Sequence, residues 1–317
     1  MNKLLLIPII LGSTLLVAGS IIVGVTANKL VKANAEYTQS VHEITDEFES
    51  FDIDLETEAL KFVITEDGKS TITCDDAEKI HHTVTVEDGV LKIKRIDERE
   101  WFQKIFNWNL NNMKVTVSVP QAAYSNLKIK ASTGAVSVPH GYTFKSVNVD
   151  LSTGALEFAS DVEENLSAEA STGAIHLSDL SAKKVYAKVS TGALRLQNVN
   201  VAEDVITSTS TGATLLDNVR AKSLNASGST GAITVKNTII EGHMEIKTST
   251  GNIRIEDSDA ATVHAKASTG NIDAIFLSSK IVYASSDTGR VDVPHSSEGG
   301  KCEMETSTGH IVVKFKA

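Results

Sequence analysis

Proline occurs four times in 317 residues, cysteine twice, and aromatic residues make up only 5%. Two cysteines exclude a disulfide-stapled scaffold and any four-cysteine zinc site. So few large rings leave Val, Ile, Leu and Ala to build the core, which favours many thin layers over one thick centre. Basic residues are outnumbered as well: 30 Lys plus Arg against 40 Asp plus Glu give a net charge of −10. That balance argues against a general affinity for nucleic-acid phosphates, so no nucleic-acid partner is expected. A glycine-rich phosphate loop, a His-Glu-x-x-His helix, a Cys-x-x-Cys pair and a Gly-x-Ser-x-Gly elbow are all missing. Ser181-Ala182-Lys183-Lys184 matches Ser-x-x-Lys, but without the companion motifs of that enzyme class. His81, His82, His140, His176, His243, His264, His295 and His310 lack metal-ligand spacing, and each is expected at an exposed strand position. The sequence therefore predicts no catalytic residues, no cofactor and no metal.

The acidity is local. Residues 33 to 90 hold sixteen carboxylates against three lysines, a net of −13, and the remainder of the chain carries +3. A solvated collar is the plain interpretation; cation binding or repulsion from anionic polymers is the sharper one.

Between Lys3 and Lys29 the chain runs from Leu4 to Thr26 without a charge. As a helix this stretch spans about 34 Å, enough for the hydrocarbon layer of a bilayer. It is longer than the apolar stretch of a cleaved signal peptide, although Ala33-Asn34-Ala35 offers a small-residue cleavage pattern. The sequence thus predicts a single-pass transmembrane anchor over 1–32, followed by an acidic linker over 33–50. Lys3 on one side and Lys29 and Lys32 on the other leave orientation undecided by charge alone.

What the chain has in abundance is repetition. Ser-Thr-Gly recurs with its glycine at Gly134, Gly154, Gly173, Gly192, Gly212, Gly231, Gly251, Gly270 and Gly309, and Asp287-Thr288-Gly289 is the tenth copy. Successive spacings are 19 or 20 residues throughout. Around each glycine the sequence alternates with period two, the mark of strands with one buried face. Seven residues before glycine stand Leu127, Val147, Leu166, Val185, Val205, Leu224, Met244, Val263, Val282 and Cys302, all apolar; two and four residues after it the pattern repeats, as in Ile253 and Ile255. Each unit is therefore a strand, a Ser-Thr-Gly corner, a second strand and a looser return of about eight residues. One unit cannot bury its apolar side alone, but equivalent strands stacked at about 4.8 Å can. The predicted fold is all-β: a single parallel β-solenoid of about ten coils over 126–317, a rod on the order of 45 Å long. Glycine suits the corner because a β-carbon there would be penalised. Cys302 falls in the last coil and Cys74 before the first, too far apart to pair.

Residues 51–125 alternate without the glycine period and are expected to form irregular first coils and a cap. Glu87-Asp88-Gly89 marks a hairpin turn. Trp101, Phe102, Ile105, Phe106 and Trp108 stand apart, gathering both tryptophans within eight residues at helical spacing. They form either a lid over the exposed core end or a patch for a membrane surface or ligand.

Phe51-Asp52-Ile53-Asp54-Leu55, the hairpin from Glu87 to Ile93, the aromatic insertion Trp101 to Trp108, Val115-Thr116-Val117-Ser118-Val119-Pro120 and the Ser-Thr-Gly coils occur in an unusual order. In that order the chain resembles the Gram-positive cell-surface β-strand repeat family, whose members are described as adhesins, and in particular its LiaG-like members, membrane-anchored and encoded beside a cell-envelope stress-sensing system. The resemblance implies a β-helical body on the outer side of the cell membrane and no established enzyme activity. Relatives often carry an acidic or amide residue after the corner glycine, whereas Ala fills six of ten such positions here. Two functions follow as expectations: a surface adhesin or rod binding an envelope polymer, or an accessory of an envelope-stress system acting through membrane-protein partners. Oligomeric state stays open, although the last coil ends at Lys316-Ala317 without a cap and is expected to offer an edge to another chain.

Overall fold

The computed structural model describes residues 37–101 and 113–316. The predicted anchor, residues 1–32, lies outside them; among the described residues no helix is long and apolar enough to cross a membrane. What they form is one continuous 21-stranded sheet wound into a solenoid.

The coils with corners from Gly173 to Gly251 are three-sided. In each, the first side, the Ser-Thr-Gly corner and the second side follow the predicted alternation: Leu224, Ala226, Ile233 and Val235 are all buried, and their neighbours face water. The return is more regular than the sequence suggested. Six residues after the corner glycine, Asp179, Asn198, Asn218, Asn237 and Asp257 hold φ between 45° and 56°, a left-handed turn that Asn and Asp tolerate best. These side chains bond along the rod, Asn198 Nδ2 to Asp179 Oδ1 at 2.8 Å and Asn218 Nδ2 to Asn198 Oδ1 at 2.9 Å. A third buried side follows, built by Leu180 and Ala182, Val199 and Val201, Val219 and Ala221 in successive coils. The extra residue of the coil between Gly231 and Gly251 is absorbed after this side, between Ile240 and His243.

Equivalent strands pair in parallel, residue for residue: Leu127 with Val147, Gly134 with Gly154, Val138 with Phe158. At the corner the backbones approach so closely that a β-carbon on Gly212 would collide with the carbonyl of Gly192. All ten corner glycines also hold φ between 134° and 154°. Glycine is required twice over, by space and by dihedral angle. Thr214, the one polar residue among the positions two after glycine, meets Thr209 across the corner at 2.6 Å, so neither buried hydroxyl is left unmade.

Both ends depart from chain order. At the N-terminal end Ser50–Leu55 and Ala59–Thr65 form the first coil in sequence, and Val90–Asp97 with Lys114–Pro120 the second. The first lies inside, paired on one flank to the second and on the other to Ala123–Val138. Outside the second coil, Ile80–Glu87 pairs antiparallel with Val90–Asp97 through the hairpin at Asp88 and Gly89, whose φ values are 51° and 72°. Ser70–Asp76 covers the other side of that coil, and Thr38–Ile44, within the predicted acidic linker, pairs with it in turn.

At the C-terminal end the last coil is not the outermost. Gly300–Thr308 and Ile311–Phe315 sit between the Gly270 coil and the Gly289 coil, paired in parallel to both. The edge of the rod is therefore Lys280–Thr288 and Val291–Asp292, where the inward row weakens to Val282, Ala284 and an exposed Val291. This corrects the expectation that the segment ending at Lys316 is the free edge. The physical reason is composition: Cys302, Met304, Ile311 and Val313 are buried, while the outer coil carries Asp287, Arg290, Asp292 and Pro294, residues that an exposed edge can bear. Cys74 and Cys302 lie at opposite ends, unpaired and buried, and burial pushes both thiols up to about 12.

Candidate functional site

At the N-terminal end the Ser-Thr-Gly corners give way to irregular coils, and charged side chains are buried together there. In the first coil Glu56-Thr57-Glu58 occupies the corner, and the Gly134 corner stacks directly on the carbonyl of Glu58. Glu58 thus stands at the foot of the glycine row, fully buried. Its Oε2 accepts the N–H groups of Glu56 and Thr57, both at 3.0 Å, which closes the turn that glycine closes elsewhere. Its Oε1 faces Arg95 at 3.2 Å and His82 Nε2 at 3.6 Å.

His82 contradicts the expectation of an exposed histidine. It is buried because Ile80, His82, Val84 and Val86 share the inward face of their strand, and its Nδ1 meets Asp76 Oδ1 at 2.8 Å. Burial disfavours its charge, but the nearby Glu58 carboxylate and the hydrogen bond to Asp76 overcome this and raise its pKa. Burial likewise pushes Glu58 up, and the facing His82 imidazole and Arg95 guanidinium reverse it, so the carboxyl is held below its usual range. Arg95 continues the chain of contacts to Thr57 Oγ1 at 2.9 Å and to Asp97 at 3.3 Å. Arg99 grips Asp97 with two bonds, 2.9 Å from Nε and 2.6 Å from a terminal nitrogen. Against the opposing effect of burial, those bonds hold the Asp97 carboxyl at about 2.

The network sits at the root of the insertion. Strand Val90–Asp97 would turn a Ser-Thr-Gly corner in any later coil, and instead runs through Arg99 into Trp101, which is 72% exposed. Phe102, Ile105, Phe106 and Trp108 lie outside the described residues. The chain returns at Met113, which packs with Ile80 and with Tyr37, the first described residue. The insertion therefore leaves and returns on the end of the rod where the N-terminal segment arrives. Chemically the network is a clamp of paired charges. Among the described residues no group of three His, Cys, Asp or Glu is placed to hold a metal ion.

Grooves open to solvent among the described residues include two at contrasting places. One of about 590 Å3 lies at the same end, between the acidic Glu43, Asp46 and Glu47 and the stacked rings of Phe48 and Tyr124, 6.1 Å apart. The other, about 780 Å3, runs along the third side past Asp161, Glu163, Lys183, Glu203 and Lys222. Glu58, His82 and Arg95 were not anticipated from sequence. The signal existed for His82, since the inward period of Val84 and Val86 extends back to it; nothing local marked Glu58 as a corner residue.

Residues 48–314 match the family described as Toastrack DUF4097. The chain belongs to that family. Solved structures with a similar course include a candidate adhesin from Bacteroides fragilis, 15% identical, with 89% of this chain and 99% of that one covered at a TM-score of 0.42. A candidate lipid-binding protein from Parabacteroides distasonis is 15% identical, covering 87% and 97% at 0.48, and a candidate adhesin from the same organism is 12% identical, covering 88% and 97% at 0.44. The Toastrack chain has no match among curated proteins.

Proposed function

We propose that this chain is a membrane-anchored extracytoplasmic rod that binds an envelope polymer or a surface and carries no catalysis. One observation supports this reading above the others: the break in the repeat coincides with the end at which the N-terminal segment arrives, where Tyr37 packs beside Met113. If Leu4 to Thr26 spans the bilayer, residues 27–36 reach at most about 35 Å, so the aromatic insertion stands near the membrane and the long coil faces stand away from it. The coils themselves argue for recognition rather than chemistry, because spacings of 19 or 20 residues leave no long loops to wall a cleft.

A second reading, favoured by the exposed Trp101 at that same end, is an accessory of an envelope-stress system that engages membrane proteins through Trp101, Phe102, Ile105, Phe106 and Trp108. The two separate in one experiment. Envelope components are captured with the full-length chain, with a form lacking Leu4 to Thr26 and with a form lacking Trp101 to Trp108. A surface rod keeps its capture when released from the anchor; an accessory loses its effect with either deletion. Digestion of the body only after cells are lysed would sink the extracytoplasmic placement.

A further inference from the structure

The C-terminal coil is threaded into the rod rather than added to its end, and this makes it separable. Cys302 lies between Val263 and Val282, Met304 between Ala265 and Ala284, and Ile311 between Ile272 and Val291. The two flanking coils are thus in register with each other through the insert. With it withdrawn, Val263 would find Val282 and Ile272 would find Val291, a ladder of the same kind as every other in the rod. Register alone would therefore allow a second closed arrangement of this end.

The mouth of the slot is marked in the sequence. A β-carbon on Gly299 would strike the carbonyl of Ser279, and one on Gly300 the carbonyl of Ala261. Gly300 has no positive φ, so space alone demands glycine there. The pair lets the chain pass between two coils, a passage that stacking on the outside would not need. The insert is tied to the rest by residues 293–299, which form no strand and expose His295, Ser297, Glu298 and Gly299. Seven residues reach up to about 24 Å.

We propose that residues 300–316 are an exchangeable insert, and that the slot between the Gly270 and Gly289 coils takes the same segment from a second copy of this chain, joining two rods by reciprocal exchange. Nothing in the pairing of the insert depends on the linker being its own, which is the condition for swapping an identical element between copies. The alternative route, edge against edge, is opposed by Asp287, Arg290, Asp292 and Pro294 on the outer coil. Rods that meet at this end can therefore join by exchange and not by simple addition.

Disulfide trapping tests this in the full-length chain in detergent, with Cys74→Ala throughout. One preparation carries Val263→Cys and Cys302→Ala; the other keeps Cys302. Paired residues on adjacent strands lie within disulfide reach. After brief exposure to mild denaturant, return to buffer and oxidation with copper phenanthroline, the mixture should yield a disulfide-linked heterodimer, lost on reduction and lost when Gly300→Val is placed in the Cys302 chain. A single chain carrying both Val263→Cys and Cys302 reports the register by closing internally. Internal closure with no heterodimer in the mixture would overturn the exchange. Failure of internal closure would overturn the slot itself, and Cys302-to-Cys302 dimers in equal yield would show random collision instead.

Discussion

Gly309 stacks on the carbonyl of Gly270, and Gly289 stacks on the carbonyl of Gly309. The corner row therefore visits the last three glycines in the order 270, 309, 289. A second row agrees: Asn252 Oδ1 accepts the N–H of Asn271, Asn271 Oδ1 that of His310, and His310 Nδ1 that of Arg290, each at 2.9 Å. Side chains placed just after the glycine thus help to specify which coil follows which. The six alanines at the same place in the earlier coils make no such bond.

Corner glycines should be the least tolerant positions of the rod. Gly212→Ala forces a β-carbon onto the Gly192 carbonyl at a φ of 138° and is expected to cost about 3 kcal/mol or more, whereas Ala213→Gly beside it should cost under about 1 kcal/mol. Urea unfolding of both variants checks this, and equal midpoints would refute it.

The inward and outward assignments predict opposite fates for neighbours. Ile253 is fully buried and Arg254 faces solvent, so Ile253→Asp should prevent folding or cost more than about 4 kcal/mol, while Arg254→Asp stays within about 0.5 kcal/mol. Limited proteolysis distinguishes them; equal resistance would contradict the assignment.

At the second corner, Asn198 holds φ of 55° and bonds to Asp179 and Asn218. Asn198→Ala should lose about 1–2 kcal/mol through left-handed strain, and Asn198→Gly should recover most of it. Thermal melts of the two variants measure the difference, and a glycine variant no better than alanine would place the loss in the side-chain bonds instead.

The N-terminal clamp should be weakened on both sides of neutrality. His82 has a raised pKa in the folded chain, so its contribution is complete below the unfolded value near 6.5 and fades as pH rises through the folded value. Asp97, held at about 2, contributes above its unfolded value near 3.9, and that contribution is lost as pH falls toward 2. Glu58 acts with the same sign as Asp97. Denaturant midpoints across pH should fall at both extremes in the parent chain, and His82→Gln should flatten the limb at rising pH and shrink, without abolishing, the limb at falling pH, since His82 also helps hold Glu58 low. An unchanged alkaline limb would remove His82 from the clamp.

Regular coils were legible because their physics is local and repeated. Leu224, Ile233 and Val235 announce their burial by period two, and the 19- or 20-residue spacing announces their stacking. The Asn and Asp turn was hidden inside the return because a single left-handed residue leaves no periodic trace unless aligned with its neighbours. Coil order at the two ends was invisible for another reason. Period and hydrophobicity say that Cys302 and Met304 face inward, but not which coils they face, and that choice rests on differences between coils such as Ala284 against Met304. The buried trio of Glu58, His82 and Arg95 was missed because ionic groups drawn from one corner and two strands meet only after the rod has wound.

The nested ends constrain how such a protein can change length. The first coil in sequence is already flanked by the second, and the last by its predecessor, so a unit appended at either terminus would have to displace an existing closure. A unit duplicated within residues 126–276 disturbs neither. Growth from the middle, with both termini left intact, is the route this architecture leaves open.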